Sequence, residues 1–157
     1  MPRKYDSTAR FQQPDPRFGS RLASKFINCM MYEGKKSTAR KVFYEALDSL
    51  GTKVPGEDPI EVFSTAIGNV KPMVEVRSKR VGGATLQVLH EIKRERQQAL
   101  AIRWMIQAAR KKKGKPMARR LAEELYDAYN RQGTAYTTRE NTHKMAEANK
   151  AYAHFAW

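Results

Sequence analysis

Cysteine is almost absent from this chain. Cys29 stands alone among 157 residues, so no internal disulfide can form. It sits among apolar neighbours, where a thiol behaves as a small hydrophobe. Histidine is nearly as scarce: His90, His143 and His154 are widely spaced and have one thiol between them, so the ligand sets of zinc centres are missing. No apolar run approaches the roughly 18 residues of a membrane span, and the first twenty residues lack a signal-peptide core. A soluble, intracellular chain in a reducing compartment is expected, with no membrane partner, metal or cofactor. A body of about 150 residues buries roughly 70% of its unfolded surface, so a core is attainable without disulfides.

Acidic residues are also in short supply. Sixteen Asp and Glu face thirty Lys and Arg, a formal net charge of +14. An excess of that size repels itself in the compact state and is commonly kept for a polyanionic partner. Its distribution is uneven. Residues 1–41 carry ten basic and three acidic side chains, residues 42–70 one and five, and residues 110–120 seven and none. Solubility requires net charge but no such clustering.

Hydrophobic spacing predicts a mainly α fold: a six-helix array with one protruding two-stranded β-ribbon at about residues 73–89 and a basic N-terminal arm over 1–19. The arm holds Pro2, Pro14, Pro16 and Gly19 with no regular apolar period. Ser20 caps a first helix, and a second runs from about Ser37 to Leu50 with Gly51 as its stop. Asp58-Pro59-Ile60-Glu61 opens a third. Alternation then replaces the helical period. Val74 to Val81 and Ala84 to Leu89 flank Gly82-Gly83, the pattern of a hairpin with a tight turn. Helix returns at about Lys93–Lys111, restarts at Pro116, and resumes after a capping box at Thr137-Thr138-Arg139-Glu140 in a C-terminal helix of about 138–154. Residues 20–157 are read as one helical domain.

The signs of catalysis are missing. Gly34-Lys35-Lys36-Ser37-Thr38 looks like part of a nucleotide-binding loop, but the position of its first glycine is Cys29, Lys36 separates Lys35 from Ser37, and the preceding element is helical. A Gly-Lys-Lys turn before a helix N-terminus remains a sound anion site. Ser37, Ser64 and Ser78 have no base and orienting group in relation to them, and Glu123 and Glu124 are read as ion-pair partners on an Arg-rich helix face.

Nucleic-acid binding fits better. Alternation places Arg77 and Lys79 on one face of the ribbon, with Arg80 beside its glycine turn. Arg96, Arg103 and Arg110 recur every seven residues and lead into Lys111, Lys112, Lys113 and Lys115. Such side chains grip phosphates without reading sequence. Composition leaves the nucleic acid open: a DNA-architectural protein with a basic ribbon arm is the alternative, although Gly82-Gly83 offers no apolar wedge.

Pro14-Asp15-Pro16-Arg17-Phe18-Gly19-Ser20-Arg21-Leu22, Lys25-Phe26-Ile27-Asn28 and Gly34-Lys35-Lys36-Ser37-Thr38-Ala39, taken in order, resemble the opening of bacterial ribosomal protein seven of the small subunit. The resemblance continues in Lys79-Arg80-Val81-Gly82-Gly83-Ala84-Thr85, Leu100-Ala101-Ile102-Arg103-Trp104, Thr142-His143-Lys144-Met145-Ala146-Glu147-Ala148-Asn149-Lys150 and the trailing Ala151-Tyr152-Ala153-His154-Phe155. It implies a non-enzymatic, primary rRNA-binding protein of the cytoplasmic or an organellar small subunit. Such a protein binds the 3′ major domain, nucleates head assembly, and in some members represses translation of its own operon mRNA. The expected rRNA contacts are Arg3, Lys4, Arg10, Lys25, Lys35, Lys36, Arg77, Lys79, Arg80, Arg96, Arg103, Arg110, Lys111, Lys112, Lys113 and Lys115. Arg80, Val81, Gly82, Gly83, His143, Lys144 and Lys150 are expected near the exit-site tRNA and the mRNA path, with ribosomal proteins nine and eleven as neighbours. Two positions depart from the family pattern: Leu89 replaces a usual Pro, and Ala156 a usual Arg.

Overall fold

The computed structural model describes residues 11–155. Its elements run α1 (Arg21–Met30), α2 (Lys36–Lys53), α3 (Pro59–Val70), β1 (Val74–Val81), β2 (Ala84–Glu91), α4 (Arg94–Lys111), α5 (Met117–Tyr129) and α6 (Gly133–Ala148), then a 3-10 segment at Lys150–Phe155. The expected six helices and single antiparallel hairpin are therefore what the described residues form. Among the described residues, no helix is long and apolar enough to cross a membrane.

Local chemistry explains most boundaries. The Ser20 hydroxyl accepts the Ala23 amide at 3.3 Å, and the Asp58 carboxylate accepts that of Ile60 at 3.1 Å with Pro59 in the first turn. In the ribbon turn, Val81 pairs with Ala84 across Gly82 (φ +56°) and Gly83 (φ +91°), two left-handed positions that suit residues without a Cβ.

Several expected boundaries need correction. Gly51 does not stop α2; a Cβ there would lie 3.0 Å from Pro59 Cγ, so the glycine admits the next helix while α2 runs on to Lys53. The same helix begins at Lys36, and Lys35 at its N-cap position makes no capping bond. The last helix starts at Gly133, not near 138. The Thr137 and Thr138 hydroxyls turn back to the carbonyls of Gly133 (2.9 Å) and Thr134 (2.8 Å), so that capping box lies inside the helix. It ends at Ala148, and the tighter segment replaces its expected course to about 154. β2 extends past residue 89 to Glu91, since Leu89 leaves the φ freedom and amide that proline removes, and the Ile92 amide continues the pairing to Met73 O at 3.0 Å. Within the stretch expected as an arm, Asp15 and Arg17 contact the helical body. Asp15, 3% exposed, accepts the Arg17 and Phe18 amides and the Tyr44 hydroxyl at 2.9 Å, and Arg17 reaches both carboxylate oxygens of Asp48.

The core begins where α1, α2 and α3 meet. Phe26, Phe43 and Phe63 are fully buried with ring centroids 5.2–5.5 Å apart, and Phe63 stands edge-on to the other two. α5 packs against α2, α3, α4 and α6, and its Leu121 and Leu125 carry the core through to Ile102 and Met105 of α4. The ribbon's base rests on α6 and the 3-10 segment, with Val88 buried, while its far end projects.

Gly133 joins α5 to α6 with φ +90°, and a Cβ there would lie 2.9 Å from Asp127 Cβ and 3.1 Å from the buried Glu124 Oε1. Gly114 has a similar φ of +83° with nothing near. Gly114→Ala is therefore expected to cost about 1 kcal/mol and Gly133→Ala about 3 kcal/mol or more in urea unfolding. Equal losses would show that crowding at Gly133 is unimportant.

Candidate nucleic-acid interface

The ribbon carries two kinds of arginine. Glu75, near its base on β1, is 8% exposed and receives Arg77 Nε at 2.7 Å, Arg96 Nε at 2.9 Å and Arg96 Nη2 at 2.9 Å. Burial pushes the Glu75 carboxyl up, but the hydrogen bonds from Arg96 and Arg77 outweigh this and hold it below the usual carboxylate range. Arg96 thus fastens the first turn of α4 to the ribbon and does not begin a free stripe through Arg103. Lys79 is half-buried along β1, whereas Arg80, Gly82 and Gly83 are exposed at the tip and Val81 is half-buried.

A second cationic surface forms where α1, the start of α2 and α4 meet. Lys25 and Arg103 line a concavity of about 370 Å³ that also contains Arg110. Arg110 borders a larger cleft, about 450 Å³, with Lys35 and Arg120 on its walls. Lys36 and Arg40 line a third concavity of about 250 Å³, which is mainly polar. Folding therefore brings Lys25, Lys35, Lys36, Arg103 and Arg110 together although 85 positions separate the first from the last. The turn before α2 bends through Glu33 (φ +50°) and Gly34 (φ +72°), which presents Lys35 and Lys36 at the positive end of the helix. Lys35 contacts Glu33 at 2.7 Å, but both side chains are well exposed and such a pair contributes little.

The basic run after α4 divides by orientation. The Lys112 ammonium lies 2.8 Å from Oε2 of the fully buried Glu124 and 3.3 Å from Asp127. Desolvation lowers the Lys112 pKa, yet bonding to Glu124 and the charges of both carboxylates raise it overall. The other Glu124 oxygen accepts the Ala135 amide at 2.8 Å. The Arg120 guanidinium donates to the carbonyls of Arg110 and Lys112, and Lys115 pairs with Glu123. Lys111, at the end of α4, and Lys113, on the loop that follows, are left exposed.

His143, Lys144 and Lys150 lie beside the ribbon's base and not at its tip. The Met73 amide donates to His143 Nε2 at 3.1 Å, Lys144 is exposed on α6, and Lys150 opens the 3-10 segment that packs on β2. Arg3, Lys4 and Arg10 lie outside the described residues. Sequence reading missed Arg40, although its spacing of four from Lys36 sets both on one helix face. It read Glu124 as an ion-pair partner along an Arg-rich helix face, whereas its partners lie at positions 112 and 135 and the carboxylate is internal. Among the described residues, no three His, Cys, Asp or Glu side chains converge as a metal cage requires.

These features define a basic helical scaffold with a projecting β-ribbon, its cationic side chains shared between internal clamps and outward surfaces. A family model described as "Ribosomal protein S7p/S5e" matches residues 2–150, and the chain belongs to that family of structural, non-enzymatic ribosomal proteins. The small ribosomal subunit protein uS7 of Rhodopirellula baltica is 60% identical over 144 residues, covering 91% of this chain and 92% of its own. Those of Pelagibacter ubique and Maridesulfovibrio salexigens are 53% and 54% identical across the full length of both chains. The DNA-architectural alternative finds no support in these relationships.

His143 accepts the Met73 amide only while Nε2 is unprotonated. Burial and the charge of Arg139 hold its pKa below the ordinary 6.5, against the opposing effect of Glu140. The unfolded chain then takes up the proton first on acidification, so this contribution is complete above about 6.5 and is lost towards the lower folded value. Hydrogen-exchange protection of the Met73 amide, corrected for intrinsic rates, is expected to fall on acidification below the ordinary histidine range of about 6.5. The step should vanish in His143→Gln, and protection that stays flat in the parent chain would contradict the assignment.

Proposed function

We propose that this chain is a primary rRNA-binding protein of the small ribosomal subunit, acting in the cytoplasmic ribosome by charge neutralisation and placement. It binds the 3′ major domain through the surface around Lys25, Lys35, Lys36, Arg40, Arg103 and Arg110 and through the outward lysines Lys111 and Lys113. By holding distant rRNA segments on one body it nucleates assembly of the subunit head. The ribbon tip at Arg80 to Gly83, with Lys144 and Lys150 near its base, lies towards the exit-site tRNA and the mRNA path, and ribosomal proteins nine and eleven are its neighbours. The observation that carries this reading is the gathering of cations from α1, α2 and α4 into adjoining concavities on a body braced by its own ion pairs. Membership of a ribosomal protein family supports rRNA as that polyanion.

Each phosphate neutralised releases counterions, so affinity must fall steeply with salt. The double variant Lys35→Glu, Lys36→Glu is expected to weaken binding of a 3′ major domain fragment at least roughly tenfold in a low-salt filter titration, with urea unfolding unchanged. Unaltered affinity would remove this turn from the interface.

The loop lysines should separate into two behaviours. Lys111→Ala with Lys113→Ala is expected to weaken rRNA binding and flatten its salt dependence at constant stability. Lys112→Ala, which leaves Glu124 buried without its cation, should instead cost about 3 kcal/mol of stability. A stable Lys112→Ala variant would show that its pair with Glu124 is dispensable.

A further inference from the structure

We infer that the cleft between α2, α5 and the ends of α1 and α4 is a nucleobase pocket in which one unpaired base of an RNA strand stacks beside Tyr32. The proposal rests on the rRNA-binding reading and adds to it a contact with a base, where that reading requires only phosphates.

Tyr32 is unusual for a surface residue. It is 65% exposed, in the turn that leads to Lys35 and Lys36, and no core packing accounts for its ring. The Arg110 guanidinium lies 4.1 Å from the ring centroid and is fixed there by a hydrogen bond from Nη2 to Met30 O at 3.0 Å. A tyrosine ring and a guanidinium held together offer a preformed planar edge, and both are groups on which bases stack. Beside them the cleft is floored by Met30, Ala39, Val42 and Met117. Its volume of about 450 Å³ falls within the range of small-molecule sites, roughly 300–1,000 Å³.

The lining selects the occupant. A phosphate or ribose finds little to bond on four apolar side chains, whereas a base presents a flat, weakly hydrated face that suits them. Lys35 stands at the rim, where a phosphate flanking a splayed base would lie, while Arg120 is turned to the carbonyls of Arg110 and Lys112. Bases within a duplex have no free face, so the ligand is a nucleotide from a loop, bulge or junction. The cationic walls and the charge of +14 favour this anionic strand over an apolar peptide.

The test uses the full chain and a fluorescent 3′ major domain rRNA fragment, with affinities measured at several salt concentrations. Tyr32→Ala should weaken binding roughly tenfold without changing the slope of log affinity against log salt, because stacking is lost and no phosphate contact is. Tyr32→Phe keeps the ring face and should bind like the parent. Adenosine 5′-monophosphate should shift the methyl NMR signals of Val42 and Met117, and ribose 5-phosphate should leave them in place. Tyr32→Ala binding like the parent, Tyr32→Phe as weak as Tyr32→Ala, or equal shifts from both phosphates would each overturn the pocket. If the salt slope stays steep while Tyr32→Ala has no effect, only the pocket fails. If the parent chain shows no salt-dependent affinity, the rRNA reading fails as well.

Discussion

The carboxylate of Glu124 is the constraint around which the basic half of the molecule is arranged. It is fully buried, pairs with Lys112 from the loop after α4, and accepts the Ala135 amide at the start of α6. Removing such a charge from water is costly, and the Lys112 cation 2.8 Å from one oxygen and the Ala135 amide on the other offset that cost. That requirement specifies the join between α4, α5 and α6, and it leaves no room for a side chain at Gly133. From α6 the constraint passes to the ribbon. Arg139 donates to Asn69 O at the end of α3, and His143 accepts the Met73 amide next to β1.

A chain with so few acidic residues uses several of them as internal anchors. Asp15 organises the turn before α1, Glu75 gathers Arg77 and Arg96 at the ribbon's base, and Glu124 holds Lys112. Glu75 and Glu124 neutralise cations at the body's joints, and others, such as Lys36, Arg103, Lys111 and Lys113, face outward. Self-repulsion is thereby relieved where the helices join and retained where a polyanion can relieve it. The joints are set before binding, so the entropy of arranging the body is not charged to the complex.

Much of this architecture was legible in the sequence because it rests on local rules. Periodicity gave the helices, Ser20 and Asp58 marked two starts, and Gly82-Gly83 marked the ribbon turn. Errors arose where distant residues overrule local preference. Gly51 looks like a stop until Pro59 is brought against it, and Thr137 looks like a cap until Gly133 is seen to start the helix. The candidate site was legible as composition but not as geometry. Lysines and arginines advertise a polyanion, yet charge alone cannot show that Lys112 and Arg96 serve as clamps while Lys111 and Arg103 face solvent. Arg40 and Tyr32 went unnoticed because their meaning depends on the concavities that other helices complete.

The central claim is that the outward cations of a pre-braced body bind folded rRNA through its phosphates. Its most direct test is the affinity of the intact chain for the 3′ major domain of small-subunit rRNA across a salt series, with duplex DNA of equal phosphate content as competitor. Specific binding to rRNA is expected, with log affinity falling linearly against log salt at a slope of several phosphate contacts, at about 0.7–0.9 per phosphate. An affinity indifferent to salt, or duplex DNA competing as well as the rRNA itself, would contradict the account.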